Sequence, residues 1–248
     1  MQELDLYARL ASAHVSGGVL AALPFAAEFN RGLEFGLKSL WADQRIRADI
    51  AVFHNRSEHQ QLQQFRADRG TYILDGGSST QSGWETELQG LVTRDLSLHA
   101  SYGRVNARFD NGLKALTPKQ TLYVGGELHF QPLANGIRPL LRMDATWQDR
   151  ALPAPCLLGQ AATPTGCSGT GNASLTQAVT LPARTDLSLR LTLDDIAWGR
   201  LVNGTLSVWM RNALGRRQLQ FARDLGNGTV MGSFADPRTF GVELTLSL

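Results

Sequence analysis

The 248-residue sequence has no run of about 18 apolar residues, so no helix of it can cross a membrane. Its longest apolar stretch, Val19–Ala27 (VLAALPFAA), is too short and carries Pro24. The opening MQELDLYARL lacks a basic segment followed by an apolar one, so no secretion signal is visible. Charge is sparse at 19% and nearly balanced, and a net charge of +2 is too mild for a nucleic-acid partner. No GxSxG or other nucleophile motif occurs. DGGSS at Asp75–Ser79 has no strand-to-helix context that would make it a phosphate cradle. Only two cysteines are present, Cys156 and Cys167, in a Pro-, Gly- and Thr-rich stretch. With no His or third Cys nearby in sequence, they make a poor metal site. A small disulfide and a pair of free thiols both remain open.

What is present is strict alternation. Leu187, Leu189, Leu191 and Leu193 alternate with Asp186, Ser188, Arg190, Thr192 and Asp194. Period two puts one apolar and one polar face on an extended strand. The pattern recurs at Glu3–Leu10, Arg31–Trp41, Arg45–Phe53, Gly83–Gln89, Asp95–Tyr102, Thr121–Phe130, Ile137–Trp147, Gly204–Asn212 and Arg238–Leu248. Helical periodicity is absent. About ten strands are predicted, and the fold class is all-β.

The connections alternate too. Tight ones are predicted at Trp41–Arg45, Thr93–Asp95, Pro132–Gly136 and Asp195–Arg200. Long loops are predicted at Ser12–Asn30, Asn55–Gln81, Arg108–Pro118, Gln148–Pro182 and Ala213–Pro237. Short turns at one end and large loops at the other describe an up-and-down antiparallel meander of the outer-membrane kind. In a soluble sandwich the apolar face would be a core and strands near six residues would be typical. Several strands here reach the length of a tilted membrane strand. Their polar faces are charged, which suits a water-filled lumen. Aromatics at or near strand ends, Trp41, Trp84, Tyr102, Phe130, Trp147 and Trp209, are expected in interfacial girdles.

Several segments then resemble one family in its own order. RNALGRR (Arg211–Arg217) resembles a strand-end motif of TonB-dependent outer-membrane receptors, and PRTFGVELTLSL (Pro237–Leu248) resembles their closing strand. LEFGLKSLWADQRIRADIAVFHN (Leu33–Asn55) is similar to one of their hairpins, SGWETELQ (Ser82–Gln89) to a following strand, and LPARTDLSLRL (Leu181–Leu191) to the segment after a large loop. The last strand departs from the family in ending at Leu248, where Phe is usual.

The resemblance implies an outer-membrane receptor for a ferric siderophore or similar scarce nutrient, taken up with energy passed from TonB. Residues 1–248 are then expected to form the C-terminal portion of a wide barrel, as an open curved sheet or partial barrel. The plug, the N-terminal strands and the TonB-contacting segment would be supplied from outside it. Such a piece would lie in the outer membrane of a Gram-negative bacterium against lipid and would not transport alone. The oxidising compartment favours a Cys156–Cys167 disulfide. No cofactor and no catalytic residue are expected, since the chelator itself coordinates the iron. Arg138, Arg142, Arg190 and His129 fall on polar faces or at their ends, and are candidates for an anion path or for mixed lumen charge. His99 and His129 read as solvated lumen histidines, and His54 and His59 lie at the base of a long loop. The alternatives are a small barrel with a protease-like rim, or a passive pore.

Overall fold

The structure is a computed structural model and describes residues 3–66, 70–152, 154–198, 202–226 and 229–247. Ten strands form one antiparallel sheet in chain order. They are β1 (Glu3–Val15), β2 (Glu28–Trp41), β3 (Ile46–Glu58), β4 (Ser79–Leu91) and β5 (Leu96–Phe109). The second half holds β6 (Gln120–His129), β7 (Arg138–Gln148), β8 (Arg184–Trp198), β9 (Val202–Arg211) and β10 (Thr239–Ser247). Among the described residues β1 pairs only with β2, and β10 only with β9, so the sheet stays open. The long strands have the reach to cross a bilayer at a tilt.

Cross-strand register fixes the faces. Leu6, Leu37, Ile50, Thr86, Tyr102, Leu122, Trp147 and Thr185 are successive Cα partners from β1 to β8. Leu189, Met210 and Phe240 continue the same face on β8 to β10. These apolar side chains find no core. Leu191 is 41% exposed, Val208 48% and Val242 67%. Among the described residues the buried apolar side chains are Ala51, Leu113, Ala151, Cys156, Leu158 and Ala222, and only Ala51 lies in the wall. A soluble sandwich would bury its leucine face; this sheet presents it to lipid.

The tight turn after β2 uses three left-handed residues, Ala42, Asp43 and Gln44, at φ 53°, 54° and 65°. The predicted turn at Asp195–Arg200 is displaced. A bulge between Leu193 and Ile196, with Asp195 at φ 57°, absorbs an extra residue and lets β8 continue to Trp198. The remainder of that turn lies outside the described residues.

The long connections hold more order than the sequence indicated. Ladders run beyond the expected loop boundaries, to Glu58 and from Ser79, because their polar residues still pair: Asn30 donates to Ser57 Oγ at 3.0 Å. Small hairpins form at Gly18–Leu20 with Leu23–Phe25, Gln61–Arg66 with Gly70–Asp75, Ala161–Thr163 with Gly166–Ser168, and Leu219–Gly226 with Thr229–Phe234. A six-residue helix, Ala173–Ala178, is capped by the Asn172 side chain accepting from Leu175 N–H. It leaves the all-β class intact, and a single capped turn is too short to show a 3.6-residue period.

These loops brace one another. Gln61 Nε2 donates to Ser16 and Ala26 carbonyls, tying the second loop to the first. Asn111 Nδ2 donates to Gly76 and Pro164 carbonyls, joining the second, third and fourth.

Candidate functional site

The opposite face of the sheet carries the polar residues. Ser97, Glu127, Arg142, Arg190, Trp209 and Gly241 are successive cross-strand partners from β5 to β10. This face is concave. A cavity of about 550 Å³ opens on it, lined by Arg47, Gln89, His99, Tyr123, Glu127 and Arg142 among others. Arg190 also reaches over β9 to Glu243 on β10, Nη2 to Oε2 2.5 Å. That spans two strand spacings, roughly 10 Å of sheet, and keeps both charges on this face.

Arg142 and Arg190 are direct register partners, and two like charges so placed repel. Carboxylates on the same face hold them. Arg142 sits between Glu127 at 3.2 Å and Asp144 at 2.9 Å, while Tyr123 donates to the other Asp144 oxygen at 2.6 Å. Arg190 is paired with Glu243. His99 stacks edge-on against Tyr123 with centroids 5.2 Å apart, and its Nε2 lies 3.1 Å from Glu87 Oε1 without hydrogen-bond geometry. Towards the long-loop end a second cavity of about 360 Å³ is lined by Tyr123, Thr146, Arg184, Asp186 and Gln218.

The other two candidates lie apart from this pair. Arg138, at the tight-turn end of β7, is paired with Asp195 across the bulge. His129 ends β6 as an exposed residue, paired in register with Leu140, its backbone N–H donating to Asp95 O at 2.8 Å. The structure therefore groups Arg142 with Arg190 and leaves His129 at the rim.

Two inward residues were missed or misplaced in the sequence. Tyr123 bridges both cavities and was not singled out, although Leu122 and Val124 on the outward face require it to point inward. Trp209, assigned to the girdle, lies on the concave face opposite Gly241. Its neighbours Val208 and Met210 already held the outward face. The other expected girdle aromatics keep outward register, and Trp84 and Tyr102 pack with centroids 4.9 Å apart.

Outside the membrane band, Cys156 and Cys167 form a disulfide in the fourth loop, with Cα atoms 5.7 Å apart. In the second loop His59 Nδ1 is 2.7 Å from Asp75 Oδ2. The hydrogen bond to Asp75, then its charge, raises the His59 pKa. Burial alone would raise that of Asp75, but hydrogen bonds from His59 and the Gly77 N–H outweigh it and hold the carboxyl below its ordinary value. Asn212, in the motif that ends β9, is buried at φ 46°. Its Nδ2 donates to Arg216 and Asp236 carbonyls, closing the base of the fifth loop. Among the described residues no three His, Cys, Asp or Glu side chains group to hold a metal.

The sequence model described as "TonB dependent receptor-like, beta-barrel" matches residues 3–213. The chain belongs to this family. It accordingly forms part of the β-barrel of a protein of the Gram-negative outer membrane. No curated protein sequence matches it. Solved structures do, over 98% of its length. The ferric yersiniabactin uptake receptor FyuA of Yersinia pestis is similar at 16% identity and TM-score 0.73, with 34% of that chain covered. The pyoverdine receptor FpvA of Pseudomonas aeruginosa is similar at 16% identity and TM-score 0.68, with 34% covered. The ferric preacinetobactin receptor BauA of Acinetobacter baumannii is similar at 15% identity and TM-score 0.65, again with 34% covered. At these identities the likeness concerns the fold. The chain spans about a third of the length of these receptors, and family and neighbours are receptors and transporters, not enzymes.

Proposed function

We propose that residues 1–248 form the C-terminal wall of a receptor that takes up ferric siderophores or chemically similar scarce nutrients. The observation that carries this reading is the concave face. Arg142 and Arg190 are opposed there at register, beneath five long connections, the first four of them hydrogen-bonded to one another at the mouth. An anionic chelate entering past the loops would exchange with the carboxylates that hold these guanidinium groups, whose planar forks suit carboxylate and catecholate oxygens. Selectivity would come chiefly from the loops at Asn55–Gln81, Gln148–Pro182 and Ala213–Pro237.

Transport requires more than this wall. Two unpaired edges in lipid each leave backbone groups unsatisfied, at several kcal/mol per group. β1 and β10 therefore call for neighbouring strands, and the lumen calls for a plug that gates it and makes the contact with TonB. Both fit neighbours about three times as long as this chain. A self-closed pore or a rim protease finds less support, since the sheet is open and the family is one of receptors.

Deletion of the gene from its host under iron limitation tests the reading. The expected result is loss of TonB-dependent uptake of one class of labelled ferric siderophore or comparable nutrient. Unchanged uptake of every such compound would overturn it.

A further inference from the structure

The lumen face repeats one short motif three times: Arg47-Ala48-Asp49 on β3, Arg142-Met143-Asp144 on β7 and Arg184-Thr185-Asp186 on β8. Residues two apart on a strand share a face, with Cα atoms roughly 7 Å apart, so each arginine can reach its own aspartate. The first two do. Arg47 meets Asp49 at 2.6 Å, and Arg142 meets Asp144 at 2.9 Å. Arg184 and Asp186 do not pair, and neither makes another ion pair or side-chain hydrogen bond among the described residues.

The third motif also sits in a different setting. The other two lie on strands with ladder partners on both sides. β9 pairs with β8 only from Leu189 onward, so at Arg184–Asp186 one edge of β8 has no strand beside it. The fifth loop takes that place: the Gln218 side chain accepts from Thr185 N–H at 3.1 Å and donates to Thr185 O at 2.7 Å. Between wall and loop lies the second lumen cavity, about 360 Å³, at the small end of ligand pockets. Arg184 and Asp186 line it together with Thr121, Thr146 and Gln148 of the wall and Gln220 of the loop. None of those last four side chains has a hydrogen-bond partner among the described residues. One free guanidinium and one free carboxylate therefore share a polar space that still offers donors and acceptors.

A ligand group that satisfies both charges must itself carry both. Its carboxylate suits the planar guanidinium fork, and its protonated amine suits the aspartate. We propose that this cavity binds a zwitterionic amino-carboxylate group, carboxylate on Arg184 and ammonium on Asp186, as found at the free end of an amino-acid- or peptide-built chelate. A chelate that is anionic at its iron-binding oxygens can carry such a group at its periphery. The inference deepens the receptor reading above and rests on it for the link to uptake.

The test uses the full 248-residue chain refolded in a neutral detergent and titrated with the dipeptide alanylalanine, binding being read by ligand-observed NMR. Two analogues each lack one charge: N-acetyl-alanylalanine and alanylalanine amide. The zwitterion should bind at least about tenfold tighter than either, the order of one charge-assisted contact. D186N should erase the preference over the acetylated form and keep the preference over the amide. R184Q should do the reverse. Neither substitution breaks an ion pair, so both variants should keep the urea midpoint of the unmodified chain. R9Q, which removes a charge from the inward face of β1, should bind as the unmodified chain does. Equal affinity for the three peptides would overturn the proposal, and so would unchanged preferences in D186N and R184Q. Failure of the receptor reading would show elsewhere, as unchanged uptake in the gene deletion with the peptide preferences intact.

Discussion

The phenol ring of Tyr7 on β1 lies across Gly36, its direct partner on β2, and its hydroxyl donates to Glu34 at 2.8 Å. A Cβ at position 36 would enter that ring. The arrangement recurs at the far edge, where a Cβ on Gly241 would sit 2.5 Å from the Trp209 ring. Each aromatic shields the glycine's bare backbone and stiffens an edge pair from the lumen side. G36V should destabilise the folded chain in detergent by about 1–3 kcal/mol, read from the urea midpoint. In a Y7A background the same substitution should cost much less. Equal costs in both backgrounds would mean that Tyr7 does not rest on Gly36.

Val124 is exposed on the outward face near the middle of β6, and Ser188 lies inward on β8. V124R should cost about 2–4 kcal/mol in a lipid bilayer, the penalty for arginine near the midplane. S188R should cost little, because its charge stays in water. The measurement is reversible unfolding in phospholipid vesicles of the receptor that contains these strands. Similar losses for the two would remove the assignment of faces.

Much of this was legible in the sequence because a membrane wall applies one rule at every residue. A strand with Leu187, Leu189, Leu191 and Leu193 in step has only one face to give to lipid, and register then extends that face across ten strands. The loops obey no such rule. The hairpin Gln61–Arg66 with Gly70–Asp75 alternates over too few residues to stand out, and Asn111 braces three loops through contacts distant in sequence. At the site, Arg142 and Arg190 were visible as inward cations. Their mutual opposition was not, because it depends on the β7–β8 register across the 35-residue connection between Gln148 and Arg184. Trp209 was misplaced by its residue type: an aromatic near a strand end reads as a girdle residue unless its neighbours' parity is followed.

The fourth loop should depend on its disulfide while the wall does not. Replacing Cys156 and Cys167 with Ser should leave the β-sheet circular dichroism unchanged. Amide exchange should rise between Ala151 and Leu181, whose backbones pair across the base of the loop. The cross-link closes a short loop, worth about 3 kcal/mol in chain entropy. Faster exchange in β7 or β8 would show that the loop supports the strands.

The His59–Asp75 pair makes the second loop pH-sensitive. His59 has a raised pKa, so its contribution is full below the unfolded-state value near 6.5 and is lost as pH rises through the folded one. Asp75 has a lowered pKa, so its contribution is present above the unfolded value near 3.8 and is lost as pH falls through the folded one. The loop should be most ordered between those limits. By NMR the His59 midpoint should lie above 6.5 and fall in D75N; no change in D75N would remove the pairing.

The central claim is that these ten strands are a receptor wall that depends on further barrel and plug. Its most direct test is to express residues 1–248 by themselves in cells lacking their siderophore receptors and to measure uptake of labelled ferric siderophores. The account predicts none above background, with the chain poorly inserted or aggregated. Energy-dependent uptake by this chain without any plug domain supplied would contradict it.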